Sequence, residues 1–174
     1  MPRGISRLLV IDASVARAAG ASEHPVSSTT RQFLEAVLDV SHQMVFTPPI
    51  LDEWRRHQSK FAKRWRVSMH ARRKIRMLGA QEDASLRSRI LGPAVTGTLR
   101  EIRLKDIPLV EAALRTDSVI VSRDEEARDA FQLRELSAIV WVNPVRDSGR
   151  MRSWLEEGAR PVEEWKLGGY DGGQ

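Results

Sequence analysis

The chain has 174 residues, a formal net charge of +5 and an apolar content of 41%, which suits one globular domain. It contains no cysteine, which excludes disulfides, zinc–thiolate sites, iron–sulfur clusters and thiol nucleophiles, so any metal would be bound by oxygen or imidazole. The apolar run after Met1–Ile5 is too short for a signal peptide or a membrane span, and we expect a cytoplasmic protein with no membrane partner.

Four short apolar runs predict β-strands. They are rich in β-branched residues and do not alternate apolar with polar positions, which is typical of strands buried on both faces. Helical patterns separate them, and this alternation predicts crossover connections. We therefore predict an α/β fold: a three-layer α/β/α sandwich with a central parallel sheet of four or five strands. The predicted strands are Leu8 to Ile11, Met44 to Phe46, Val119 to Val121 and Ile139 to Val142.

The predicted helices follow from apolar residues at helical spacing. The first begins at a capping box formed by Thr29 and Gln32. Between Pro48 and Leu91 the pattern shows no convincing strand and predicts two or three helices. In this stretch Trp54, Phe61, Trp65 and Met69 form one apolar stripe, so the two tryptophans are interpreted as core residues. The other predicted helices are Thr30 to Val40, Ile107 to Arg115, Glu125 to Leu136 and Met151 to Glu157.

A basic segment at residues 54–78 lies within the predicted domain, which spans residues 1–145. No Asp or Glu occurs from Trp54 to Gln81, and a concentrated positive face favours a polyanionic partner over a merely solvated helix face. His57 and His70 are interpreted as surface residues. Residues 146–174 form a C-terminal extension, and its Gly-rich end from Gly168 is expected to be disordered. The candidate RNA-binding residues are Arg55, Arg56, Lys60, Lys63, Arg64, Arg72 and Arg73.

Four acidic residues are the candidates for chemistry. Asp12 follows the first strand directly, and Asp124 occupies a matching place beyond the third predicted strand. Asp106 is expected at the start of the helix before that strand, and Glu53 early in the helix after the second strand. All four positions open on one edge of the sheet, where ligands bind in parallel α/β folds. The structural alternatives are an N-cap for Asp106, a helix-end interaction for Asp124 and a solvated surface position for Glu53.

Together these residues resemble the PIN-domain ribonuclease family, from about Leu8 to Val142. The likeness is carried by an acid after the first strand, a Glu in the helix after the second strand, an Asp beginning a later helix, and Ser-x-Asp after the next strand. The resemblance implies a metal-dependent endoribonuclease that binds Mg²⁺ or Mn²⁺ through these four carboxylates. Ser122 and Ser14 are candidates for orienting water or phosphate, although serines after strands are also common turn residues, and Ser122 with Glu125 matches a capping box.

Many small members of that family resemble the toxins of bacterial toxin–antitoxin pairs, so the resemblance also implies a small antitoxin partner and a homodimer. An RNA-processing nuclease remains open, as does a catalytically inactive RNA-binding or protein-interaction module on the same fold. Dinucleotide and P-loop nucleotide binding are disfavoured because the chain has no Gly-x-Gly-x-x-Gly after its first strand and no Gly-Lys-Ser or Gly-Lys-Thr.

Overall fold

Short apolar runs form the central sheet in the computed structural model, which describes residues 5–169. Five parallel strands pair in the order β3-β2-β1-β4-β5, and the central strands are buried on both faces. The predicted parallel sheet of four or five strands is confirmed. The strands are β1 (Leu8–Ile11), β2 (Gln43–Phe46), β3 (Ile75–Met77), β4 (Val119–Val121) and β5 (Val140–Val142).

Helices cover the sheet on both sides. The helices are α1 (Ala13–Ala18), α2 (Pro25–Asp39), α3 (Pro48–His57), α4 (Lys60–Ala71), α5 (Ala84–Ile90), α6 (Gly97–Leu114), α7 (Glu125–Ala130) and α8 (Ser148–Glu156). Helix α2 packs against α1, α4 and α8, whereas α6 packs against β1, β4 and α7. This arrangement is the three-layer α/β/α sandwich predicted from the sequence. No helix within residues 5–169 is long and apolar enough to cross a membrane.

Trp54 and Trp65 belong to the core, as predicted. Both side chains are almost fully buried, and their rings stack with centroids 5.7 Å apart. The indole N–H of Trp54 donates to the carbonyl of Ile11, 2.8 Å away, and that of Trp65 donates to the carbonyl of Leu34. The first of these bonds joins α3 to the end of β1 and so fixes the helix that carries Glu53.

Two predictions about local structure are wrong. The stretch from Pro48 to Leu91 contains a strand, β3, as well as three helices, so the basic segment at residues 54–78 is not entirely helical. Strand β3 lies at the edge of the sheet, and its exposed Arg76 and Met77 lack the apolar signature of a buried strand. The capping box at Thr29 is also wrong, because α2 begins at Pro25 and His24 caps it.

Helix α6 begins well before the position predicted from the sequence. The sequence places Asp106 at its start, but the helix runs from Gly97 and contains Pro108 in its interior. A proline favours a helix start because it lacks the N–H that an interior residue donates, and this preference explains the difference. Helix α7 is shorter than predicted: it ends at Ala130, and a separate 3-10 turn follows at Arg134–Leu136.

The C-terminal residues pack against the sandwich. Helix α8 contacts α2, and a 3-10 turn at Glu163–Trp165 contacts β5. Gly168, where disorder is expected to begin, donates its N–H to Oε1 of Gln132 at 2.8 Å. The remainder of that prediction concerns residues 170–174, which lie outside the described residues.

Candidate active site

The candidate site lies at the carboxyl ends of β1 and β4, the two neighbouring strands between which the strand order reverses. Ligands of open α/β sheets bind in the crevice at this point. Asp12 follows β1 immediately, and its N–H donates to the carbonyl of Val121 at 2.9 Å. Ser122 and Asp124 follow β4. Both acids therefore lie at one edge of the sheet, as the sequence predicts.

The two serines hold the loops around Asp12. The hydroxyl of Ser122 donates to Oδ2 of Asp12 at 2.9 Å and accepts the N–H of Asp124 at 3.1 Å. The hydroxyl of Ser14 lies 3.4 Å from that of Ser122 and accepts the N–H of Arg123 at 3.1 Å. In this arrangement the proton of Ser122 orients the Asp12 carboxylate. A direct role of either serine with water or phosphate stays a prediction.

Asp106 reaches the site from the interior of α6, which packs on β1 and β4. Its side chain is buried, with only 7% exposed. Burial is the main cause that raises the pKa of this carboxyl to about 7; the charge of Asp12 adds to it, and Asp124 and Glu53 contribute less, against the opposing charge of Lys105. The four predicted acids are therefore close enough together for their charges to interact.

Glu53 lies on α3 and is held by cationic and polar neighbours. It accepts a bond from Arg56 at 2.5 Å, and Nε2 of His57 lies 3.4 Å from its other oxygen. The guanidinium of Arg17 contacts Nδ1 of His57 at 2.7 Å. Because a guanidinium can only donate, Nδ1 must accept, and the ring N–H at Nε2 faces Glu53.

His57, for which the sequence suggests only a surface position, belongs to the site. The signal that could have found it is its spacing: it lies four residues after Glu53, which puts the two side chains on one face of a helix. Arg17 has no such signal, because it joins the site from a different helix.

Asp124 has the structural role that the sequence leaves open. Its Oδ1 accepts the N–H of Ala127 at 2.8 Å and so caps α7. The alternative capping box, which would begin at Ser122, is wrong: Ser122 lies two residues before the cap and bonds Asp12 instead. Asp124 therefore stands beside the other acids with one carboxylate oxygen engaged in the cap.

Asp12, Glu53 and Asp106 line one cavity of about 440 Å³ between α3 and α6. Arg56 also lines it, as does Lys105, which the sequence does not single out. Within residues 5–169, no three Asp, Glu or His side chains are gathered closely enough to bind an ion as they stand. The donor set nevertheless suits Mg²⁺ or Mn²⁺, since it consists of carboxylate oxygens and three of the carboxylates surround the same space.

The predicted RNA-binding residues lie in three different settings. Arg56 lines the cavity, and Arg55 is exposed on the same helix. In the turn that ends α4, Arg72 donates to the carbonyl of Leu38 and Arg73 adopts a φ of 57°. The remaining three are exposed on α4 itself: Lys60, Lys63 and Arg64.

Comparison with known proteins gave no assignment: no family model matches the chain, and no curated protein matches it significantly.

Proposed function

We propose that this protein is a Mg²⁺- or Mn²⁺-dependent endoribonuclease of the PIN-domain type, which hydrolyses phosphodiester bonds of RNA. The observation that carries the proposal is the cavity at the carboxyl end of the sheet, where Asp12, Glu53 and Asp106 face the same space. Burial, together with the charges of the neighbouring carboxylates, raises the pKa of Asp106 to about 7. A bound cation would offset both effects and favour the ionised forms.

Asp12, Glu53 and Asp106 would hold the metal, with Asp124 contributing its second oxygen. When bound, the ion supplies a water nucleophile at neutral pH and stabilises the leaving oxygen. The Ser122 hydroxyl orients the Asp12 carboxylate, and Arg56 holds Glu53 beside it. With a metal bound, these hydrogen bonds would orient its carboxylate ligands, as outer-sphere partners commonly do.

Cations around the cavity would bind the RNA backbone. Lys105 and Arg56 line the cavity itself, and Arg17 lines an adjoining cleft together with Asp12 and Glu53. Positive charge next to an acidic site offsets its repulsion of phosphates and raises the local substrate concentration. The exposed cations of α4, the helix that follows α3, are further candidates for binding the RNA backbone.

Cleavage of fluorescently labelled single-stranded RNA with Mg²⁺ or Mn²⁺ tests the proposal. Asp12→Asn should abolish cleavage, a loss of at least about a thousandfold if the metal is not retained, because this carboxylate is central to the cluster. Asp129→Asn, which changes an exposed Asp on α7, should leave the rate unchanged. RNA binding without cleavage under either metal would contradict the nuclease and favour a non-catalytic RNA-binding module. The antitoxin and the homodimer implied by the resemblance stay predictions.

A further inference from the structure

The acidic cavity is the middle part of a longer cleft. On one side it shares Asp12, Glu53 and Lys105 with the cleft that contains Arg17. On the other side it shares a different set of residues, Pro49, Ala80 and Pro108, with a third depression. Asp12, Glu53 and Asp106 therefore lie toward one end of the cavity, and Pro49, Ala80 and Pro108 lie toward the other.

The wall that the cavity shares with the third depression is apolar, whereas Asp52, which also lines the cavity, is exposed on the second turn of α3. The first turn of α3 contributes Pro48, Pro49 and Ile50, and α6 contributes Pro108 and Leu109 across the cavity. Both prolines of α3 are exposed to solvent. A metal site alone does not require an apolar wall of this kind.

The same prolines argue against a second phosphate at this end. A helix N-terminus binds anions through its free N–H groups, but the first two positions of α3 are Pro48 and Pro49, which have none. An uncharged group with flat apolar faces fits better, because proline rings can pack against it through dispersion contacts.

We propose that this proline-lined end of the cavity binds one unpaired nucleobase of the substrate while the adjoining phosphate lies over the carboxylates. The inference rests on the proposed function for the identity of the substrate. The whole cavity, with its carboxylate end, has a volume of about 440 Å³, which lies within the range of roughly 300–1,000 Å³ usual for small-molecule sites, so the base and the adjoining phosphate would share it. A base must leave its stack to enter such a cavity, so the site selects single-stranded or locally unpaired RNA.

Filling the cavity with a side chain tests this inference. Ala80 is exposed, so Ala80→Phe should not disturb the core, but its ring would occupy the space between Pro49 and Pro108. Binding is compared for two RNA pentamers, a uridine pentamer with one uridine between abasic residues and one with abasic residues throughout. Dissociation constants are measured by fluorescence anisotropy with EDTA present, so that hydrolysis cannot consume the RNA.

The wild-type protein should bind the uridine pentamer about tenfold more tightly than the abasic one, as expected for one packed base. Ala80→Phe should bind both pentamers with similar affinity, while Ala138→Phe, at another exposed alanine, should keep the wild-type preference. An unchanged preference in Ala80→Phe, or no preference in the wild type, would overturn the base site. Failure of RNA cleavage with metal, by contrast, would overturn the proposed nuclease and leave this binding result standing.

Discussion

Asp106 is the residue at which stability and the proposed function conflict. Its folded-state pKa of about 7 lies above the ordinary value of 3.8, chiefly because the carboxyl is buried. Between these two values the unfolded chain releases the proton and the folded protein keeps it. The stability that the neutral carboxyl provides is therefore fully present below pH 3.8 and is lost as the pH rises through about 7.

Replacing Asp106 with Asn should stabilise the metal-free protein at pH 8. The gain is at most about 4 kcal/mol, because one unit of pKa corresponds to about 1.4 kcal/mol, and it should disappear below pH 3.8. Mn²⁺ should raise the thermal midpoint of the wild type and should have a much smaller effect on the variant. Differential scanning fluorimetry with EDTA or Mn²⁺ measures both effects. If Asp106→Asn had a lower thermal midpoint than the wild type at pH 8 without metal, the ionised Asp106 carboxylate would not be destabilising, which would contradict the prediction.

His42 gives the opposite pH dependence. Its ring is buried, Nδ1 accepts the N–H of Arg7 at 3.0 Å, and Nε2 contacts the carbonyl of Leu155 at 2.7 Å. Burial lowers its pKa below 6.5; the carbonyl opposes this effect, Lys74 and Arg7 add to it, and Asp117 opposes it. Stability from the neutral ring is thus fully present above pH 6.5 and is lost as the pH falls through the lowered pKa of the folded state.

Urea unfolding at a series of pH values should reveal this loss. His42→Gln should flatten the decline below pH 6.5, at the cost of lower stability at pH 8. The comparison is best made in the Asp106→Asn background, because Asp106 titrates over an overlapping range with the opposite sign. Parallel pH profiles with and without the His42→Gln substitution would show that the ring does not control the decline.

At the scale of secondary-structure elements, α6 contributes Asp106 to the site and also connects two neighbouring helices. Arg103 on this helix is buried, and it donates from Nε to the carbonyl of Ala130 at 2.7 Å and from Nη1 to the carbonyl of Ile90 at 3.0 Å. Those carbonyls belong to the last residues of α7 and α5, where helices leave such groups unpaired. One side chain thus joins three helices.

Arg103→Met should therefore destabilise the protein by about 2–4 kcal/mol, since two buried carbonyls would lose a charged donor. Arg100→Met is the matched control: this arginine lies one turn earlier on α6, is exposed and bonds the carbonyl of Leu91. Its effect should stay below about 1 kcal/mol. If the two variants lost equal stability in urea denaturation, the bonds from Arg103 to the ends of α5 and α7 would not be the cause of the loss.

The elements that the sequence predicts well are those whose burial leaves a local signature. Strands β1, β4 and β5 are short runs buried on both faces, and their predicted positions match the structure to within one residue. Strand β3 leaves no such signature because it lies at the edge and contains Arg76. The start of α6 escapes prediction because Pro108 suggests a boundary, whereas packing against β1 and β4 carries the helix through it.

The candidate site is predictable in position but not in its internal contacts. Acids that follow parallel strands share one edge, and Asp12 and Asp124 come together there because β1 and β4 are neighbours in the sheet. The bond from Ser122 to Asp12 and the contact of Arg17 with His57 join residues 110 and 40 positions apart, respectively. These contacts depend on how loops and helices pack in three dimensions. No periodic pattern in a single sequence reveals them.

At the scale of the whole molecule, exposed positive charge occurs both at the acidic cavity and on α4. Some of the basic residues serve the fold: Lys74 donates to three carbonyls around the end of α2, and Arg66 donates to a side-chain oxygen on the neighbouring loop. Lys63 and Arg64 are exposed on α4 and are better candidates for binding phosphate. Arg56 differs from these residues, because it lines the acidic cavity and donates a hydrogen bond to the carboxylate of Glu53.

Exchange of Lys63 and Arg64 for Gln should separate RNA binding from metal binding. Loss of two phosphate contacts should reduce the slope of log affinity against log salt concentration by about 1.4, because each contact to a single strand contributes roughly 0.7. The affinity for Mn²⁺ should not change. Arg56→Gln should instead alter both affinities, since it removes a cation from the cavity and leaves His57 as the remaining partner of the Glu53 carboxylate.

Anisotropy titrations of a labelled RNA at several salt concentrations, together with calorimetric titration of Mn²⁺, measure the two quantities. An unchanged salt slope in the Lys63 and Arg64 double variant would show that α4 is a solvated face and that RNA is bound by the cations at the cavity alone. An altered Mn²⁺ affinity in that variant would contradict the separation, because neither side chain lines the described cavity. The contrast with Arg56→Gln therefore decides whether substrate binding extends along α4 or is confined to the acidic site.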